Sequence, residues 1–177
     1  MTERERQVFD ALSALCAKRE YCTADIRRKA LERLSRPAAD APDTALYSTG
    51  GASAASSASS ADTVVAELVA EGYVDDRRYA AAYAREKSAL SGWGPVKIRS
   101  ALLARGVPRE AVLEALEAVD PDRAAARLEK VLEAKWRTLR DDPQGRLKLI
   151  RFALSRGYDY EPVKPLVERL TRPSAED

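Results

Sequence analysis

Gly92-Trp93-Gly94-Pro95-Val96-Lys97-Ile98-Arg99-Ser100-Ala101-Leu102-Leu103-Ala104-Arg105-Gly106-Val107-Pro108 is the stretch whose reading decides the fold. The Gly-Trp-Gly-Pro run is a turn, and its proline suits the first turn of a helix, where a backbone N–H has no intrahelical acceptor anyway. Ile98, Leu102 and Leu103 then recur at helical spacing. Gly106 stops that helix, and Pro108 starts the next one through Val112 and Leu116.

The same pattern returns. Lys97-Ile98-Arg99, Leu103, Arg105-Gly106 and Val112 recur at an offset of 51 residues as Lys148-Leu149 with Arg151 nearby, Leu154, Arg156-Gly157 and Val163. A weaker copy lies 72 residues upstream, where Tyr21, Ile26, Arg27, Leu31 and Arg33 match Trp93, Ile98, Arg99, Leu103 and Arg105. Self-similarity at this period is the mark of stacked supersecondary units. Each copy is the middle helix of a three-helix unit, which predicts an all-α protein of three tandem three-helix repeats in an elongated, curved array.

The remaining segments supply the partner helices. Glu3 to Arg19 carries Val8, Leu12 and Leu15 at helical spacing, and Thr23 is the expected cap of the helix through Ile26, Ala30 and Leu34. Asp62 is the expected cap of a third helix with Val64, Val65, Leu68 and Val69, stopped by Gly72. Asp75 or Asp76 caps a fourth, in which Tyr79 and Tyr83 stand one turn apart. Asp120-Pro121 opens a seventh helix to about Arg140, Asp142-Pro143 is expected to open an eighth through Leu147, Ile150 and Leu154, closed by Gly157, and a ninth runs from about Tyr160 to Thr171. The repeats are then residues 1–74, 75–119 and 120–177, the last with a short C-terminal tail.

One segment breaks the pattern. Ser48 to Ala61 consists only of Ser, Ala, Gly and Thr. Such a run offers too little apolar area to offset its ordering entropy, so about 36–62 is expected to be a flexible linker inside the first repeat.

Composition excludes much chemistry. The 177 residues contain no histidine, which removes Ser-His-Asp and Cys-His catalysis and any histidine-bearing metal site. Cys16 and Cys22 have no second pair, so no disulfide framework or all-cysteine metal site follows, and both are expected as reduced, buried thiols. No P-loop, dinucleotide-type glycine pattern or metal-ligand cluster is present, so no cofactor and no enzymatic activity is expected. No apolar run approaches the roughly 18 residues that span a bilayer, and Met1 to Asp10 is charged, which predicts a cytoplasmic protein.

The net charge of +2 hides an uneven distribution. Residues 97–172 hold 17 basic and 12 acidic side chains, residues 1–96 hold 13 and 14. In each middle helix a basic stripe flanks the apolar one: Arg27, Arg28, Lys29 and Arg33; Lys97, Arg99 and Arg105; Lys148, Arg151 and Arg156. Repeated in a row, these form a positive strip suited to phosphate backbone or an acidic protein groove. The competing reading is a solvated face whose Lys and Arg stems cover apolar neighbours. Adjacent acids at a helix start, Asp75-Asp76 and Asp141-Asp142, read as caps rather than as a metal or proton-sharing pair. Tyr73, Tyr79, Tyr83, Trp93, Trp136 and Tyr158 read as packing side chains rather than base-stacking platforms.

The order and spacing of Glu71-Gly72-Tyr73-Val74-Asp75-Asp76-Arg77-Arg78-Tyr79-Ala80, then Gly92 to Ile98, Leu102, Arg105-Gly106-Val107, Lys148-Leu149 and Ser155-Arg156-Gly157-Tyr158 resembles the RecX family of bacterial recombination regulators. The resemblance implies a monomeric array of three-helix repeats that lies in the groove of the RecA filament on single-stranded DNA, by insertion or by capping growth. It further implies inhibition of ATP hydrolysis, strand exchange and the filament's stimulation of repressor self-cleavage in the SOS response. Family members present basic residues toward filament and DNA, which maps here onto Lys97, Arg99, Arg105, Lys148, Arg151, Arg156, Arg28 and Lys29. The motif positions Gly72, Tyr73, Asp75, Asp76, Tyr79, Gly94, Pro95, Gly106 and Gly157 carry the fold. Where the family has a short loop, this chain has the 27 residues Arg36–Asp62. A second reading is a sequence-independent DNA binder that acts by competing for single-stranded DNA or duplex.

Overall fold

A computed structural model of the protein describes residues 1–36 and 50–172, with side chains from residue 55 onward in the second stretch. Among the described residues there are nine α-helices and no strand: α1 (Glu3–Cys16), α2 (Thr23–Ser35), α3 (Gly50–Ala70), α4 (Asp76–Ala89), α5 (Pro95–Ala104), α6 (Arg109–Glu117), α7 (Pro121–Arg137), α8 (Gly145–Ser155) and α9 (Tyr160–Leu170). The chain divides into two compact units, 1–79 with 105–107, and 80–104 with 108–177.

In the first unit α1, α2 and α3 enclose Val8, Leu12, Ile26, Ala30, Val64, Leu68 and Val74. The glycine stop works as the sequence predicts. Gly72 takes φ +75°, Tyr73 N–H donates to Leu68 O at 2.9 Å and Gly72 N–H to Val69 O at 3.0 Å, which satisfies two carbonyls left over at the end of α3. Arg78 closes the same turn, its guanidinium donating to Gly72 O at 3.1 Å and to Glu20 at 2.7 Å. Tyr73 meets Phe9 edge to face, with ring centroids 6.0 Å apart.

The second unit buries Ile98, Leu102, Val112, Leu128, Leu132, Leu149, Ala153, Val163 and Val167. Asp120 accepts from the N–H groups of Asp122 and Arg123 ahead of Pro121, as expected of a cap-and-proline pair.

Four expectations fail for identifiable reasons. Residues 37–49 of the expected linker lie outside the described residues, but 50–62 is helical. Ala61 is fully buried in the first core, and the Ser60 hydroxyl bonds the Glu5 carboxylate. Small residues cannot fill space, yet alanine has the best helix propensity and allows close approach of neighbouring helices. Asp62 is consequently inside α3 and caps nothing; it pairs with Arg27 at 2.6 Å. Thr23 is the first residue of α2 rather than its cap, and its N–H is taken by Asp76 at 2.8 Å. Asp142 lies three residues before α8. It accepts from Gln144 N–H at 2.8 Å in a preceding turn, because the chain needs that turn before the helix axis begins at Gly145.

Candidate functional site

The middle helices are placed by junctions of one kind. In the second unit the start of α5 meets the end of α8: Gly94 N–H donates to Arg156 O at 2.8 Å and Val96 N–H to Gly157 O at 3.1 Å. Donors free at a helix N-terminus thereby find carbonyls free at a helix C-terminus, and the two peptide dipoles meet favourably end to end. Contact this close excludes side chains. A Cβ on Gly94 would stand 2.3 Å from Gly157 O, and one on Gly157, which holds φ +87°, would stand 2.4 Å from Lys97 N. Pro95, with no N–H to satisfy, fits between the two donating amides as the first residue of α5.

An equivalent junction lies inside the first unit. The Cys22 thiol, at the position matching Gly94, donates to Arg105 O at 3.5 Å, and a Cβ on Gly106 would stand 2.9 Å from Ala24 Cβ. Asp76 completes it by capping α2 through Thr23. The adjacent carboxylate Asp75 accepts from Arg77 and Arg78 N–H at 2.8 and 3.0 Å, so it caps its own helix. The pair thus serves two different helices. Burial raises the pKa of Cys22, and of the half-buried Cys16, above that of an ordinary thiol, which keeps both protonated.

The predicted basic residues divide sharply by what they touch. Lys97 lies over the Trp93 ring at 4.6 Å and donates to Ser155 O at 3.3 Å. Arg156 donates to Ser91 O at 2.6 Å and stacks on Phe152 at 5.0 Å. Lys148 pairs closely with Asp142, whose carboxyl is held below its usual range mainly by that contact. Arg28 pairs with Asp25 at 2.7 Å, Arg105 reaches the same carboxylate at 3.8 Å, and Lys29 lies 5.6 Å from the Tyr21 ring centroid. Arg27, the fourth member of the α2 stripe with Arg33, is bound to Asp62. Arg99 and Arg151 have no ion-pair or hydrogen-bond partner among the described residues, and Arg151 is exposed while Arg99 is on the outer side of α5.

The aromatic residues follow the packing reading. Tyr79 and Tyr158 are buried, and Trp93 packs under Lys97 and Lys87. The Tyr158 hydroxyl has no partner among the described residues; burial pushes its pKa up, against the pull of Arg156 and Arg127. Arg127, which the sequence did not single out, donates to Leu90 O at 2.7 Å and packs beneath the positive-φ Gly92. Its role depends on a carbonyl 37 residues away in sequence, which no local pattern announces. Among the described residues no group of acidic and cysteine side chains is placed to hold a metal, and no helix is long and apolar enough to cross a membrane.

Comparison with known proteins accounts for this architecture. Residues 75–116 match the model of the second three-helix domain of RecX, and residues 122–165 match that of the third. The chain belongs to the RecX family. Among RecX relatives, the regulatory protein RecX of Chromohalobacter salexigens is 40% identical over 100 residues, covering 55% of this chain and 62% of the relative. The regulatory protein RecX of Thermus thermophilus is 38% identical over 98 residues, 55% of this chain and 61% of the relative. The matched stretch therefore spans less than two thirds of either relative's length. An alignment with the Escherichia coli O7:K1 regulatory protein RecX is longer but weaker, 26% over 160 residues, 90% of this chain and 89% of the relative. A crystal structure of RecX from Lactobacillus salivarius shares the fold at TM-score 0.72 and 16% identity, covering 96% of this chain and 98% of that one. A second RecX crystal structure does so at TM-score 0.73 and 18% identity, covering 94% and 72%.

Proposed function

We propose that this protein is a non-enzymatic regulator that binds the RecA filament on single-stranded DNA and inhibits its ATPase, strand-exchange and coprotease activities. It acts as a cytoplasmic monomer, by groove insertion or end capping, with 1–74, 75–119 and 120–177 as its three repeats. Membership of the RecX family is the observation that carries the reading. Its physical counterpart is the pair of guanidinium groups, Arg99 and Arg151, that have no partner among the described residues, on middle helices held in place by backbone junctions. Lys97, Lys148, Arg105, Arg156, Arg28 and Lys29 add to the positive surface, but each has a partner in its own chain. Several modest contacts along one filament add through avidity.

The test is ATP turnover by RecA on single-stranded DNA, with this protein titrated from far below to equal concentration at two salt levels. Inhibition well below one regulator per RecA supports capping, and inhibition only near saturation supports groove occupancy. Binding to bare DNA that weakens by about 0.7 to 0.9 in log–log slope per phosphate contact, and that accounts for all inhibition, replaces this reading with DNA competition. No inhibition at either salt removes the function.

A further inference from the structure

We propose that α5 and α8 carry a repeated aliphatic–arginine–aliphatic face that docks an acidic, apolar-lined protein surface, in preference to phosphate backbone. The face consists of Val96, Arg99 and Leu103 on α5, and Leu147, Arg151 and Leu154 on α8. Val96 and Leu103 are 45% and 44% exposed, and Leu147 and Leu154 are 45% and 43% exposed. Members of each pair are seven residues apart, two turns along one stripe of the helix. Single exposed aliphatic side chains are ordinary on any surface. Here the same two positions are open to the same degree in two copies related by the 51-residue offset.

A charge sits on the turn between each pair. Arg99 comes three residues after Val96 and Arg151 four after Leu147, and neither has an ion-pair or hydrogen-bond partner among the described residues. An open groove lined by Pro143, Arg146, Leu147 and Ile150 continues the α8 face beyond its N-terminal end.

The first repeat differs at these positions in what it leaves for a partner. At the matching positions of α2, Ala24 lies against Gly106 and Leu31 packs on the core, while Arg27 and Arg28 are paired with Asp62 and Asp25. There Leu31 is partly buried and the arginines are paired within the chain; in α5 and α8 both aliphatic positions are exposed and the arginine has no partner among the described residues.

The composition selects the partner. Phosphate oxygens gain nothing from leucine, whereas protein interfaces combine desolvated apolar anchors with arginine and exclude lysine from their centres. A guanidinium between two aliphatic side chains matches a carboxylate set among apolar residues, a pairing that strengthens as water is excluded. Two similar faces match a partner that presents the same patch on neighbouring copies. This rests on the RecA-filament reading for the identity of the partner, not for the surface itself.

The experiment compares the full chain with Leu103→Gln/Leu154→Gln and Arg99→Gln/Arg151→Gln variants, Gln being a good helix former at exposed sites. Circular dichroism and melting confirm that each is folded. Binding is read by fluorescence anisotropy on RecA filaments and on oligo(dT) alone, at two salt concentrations. The leucine variant is expected to lose at least tenfold in filament affinity with its salt dependence and oligo(dT) binding unchanged. The arginine variant loses filament affinity together with part of the salt dependence. Filament affinity of the leucine variant within twofold of the parent overturns the proposal, and an equal loss on oligo(dT) assigns the face to nucleic acid. If the parent does not bind filaments, the RecA reading fails by itself. The surface is then judged by amide NMR shifts of the full chain on adding a helical peptide with a glutamate flanked by leucines. Shifts confined to 96–103 and 147–154 uphold it, and their absence overturns it.

Discussion

Gly94 donates its amide to the carbonyl of Arg156 at 2.8 Å, across 62 residues of sequence, and leaves 2.3 Å between its missing Cβ and the oxygen of Gly157. This backbone-to-backbone contact fixes where α5 begins relative to the end of α8. The lysine and arginine positions on both helices follow from it. At the two glycines no side chain takes part, so their tolerance of substitution is set by space and by φ.

Gly157→Ala is therefore expected to cost about 3 kcal/mol or more, combining a left-handed φ with a backbone collision at Lys97. Gly72→Ala, with φ +75° but nothing within 4 Å of its Cβ, carries only the conformational cost of about 1 to 2 kcal/mol. Urea denaturation of the two variants, followed by tryptophan fluorescence and circular dichroism, measures the difference. Equal losses would show that the junction yields.

Asp75 and Asp76 are expected to protect different helices. Asp76→Ala removes the acceptor of Thr23 N–H and should speed hydrogen exchange at the start of α2, whereas Asp75→Ala should do so at Arg77 and Arg78. Each costs about 1 kcal/mol, the usual value of a cap. Exchange rates of those three amides by NMR decide it.

Ala61→Leu is expected to destabilise the first unit by about 1 to 3 kcal/mol, because a fully buried small side chain leaves no room for added methylenes. Ala55→Leu, on the exposed side of the same helix, should stay within about 0.5 kcal/mol. Thermal melts of both report whether the alanine-rich part of α3 packs.

Acid should weaken the protein from the carboxylate range downward. Glu5 is held low by the Ser60 hydroxyl and the Thr2 backbone, and Asp62 by Arg27. Each folded pKa lies below its unfolded value, so the stabilisation is fully present above the ordinary carboxylate range. It is lost as pH falls through the lowered folded value. Melting temperature is expected to be flat from pH 7 to about 5 and to fall below about 4. An Asp62→Asn/Glu5→Gln variant should show a shallower fall, and added salt should shrink the Asp62 share, since both partners face solvent.

Local chemistry made much of this fold legible. Gly72, Gly106 and Gly157 end helices through positive φ, and Asp120-Pro121 starts one, because these depend on residues a few positions apart. The 51-residue repeat exposed the equivalence of α5 and α8, and Val96 with Leu147 and Leu103 with Leu154 were readable in the same alignment. Other features depend on residues distant in sequence. Thr23 has the chemistry of a cap, yet Asp76 reaches it first. Arg27 looks like a surface cation until helix α3 brings Asp62 to it.

By itself the sequence determined the helical class, the repeated unit, most helix ends and the absence of histidine chemistry. These follow from backbone propensity, hydrophobic period and composition, which act over a few residues. Tertiary structure alone decided which charges remain available. A guanidinium's partner is set by packing across helices, so six of the eight expected contact residues are engaged by their own chain, while Arg99 and Arg151 stand free among the described residues.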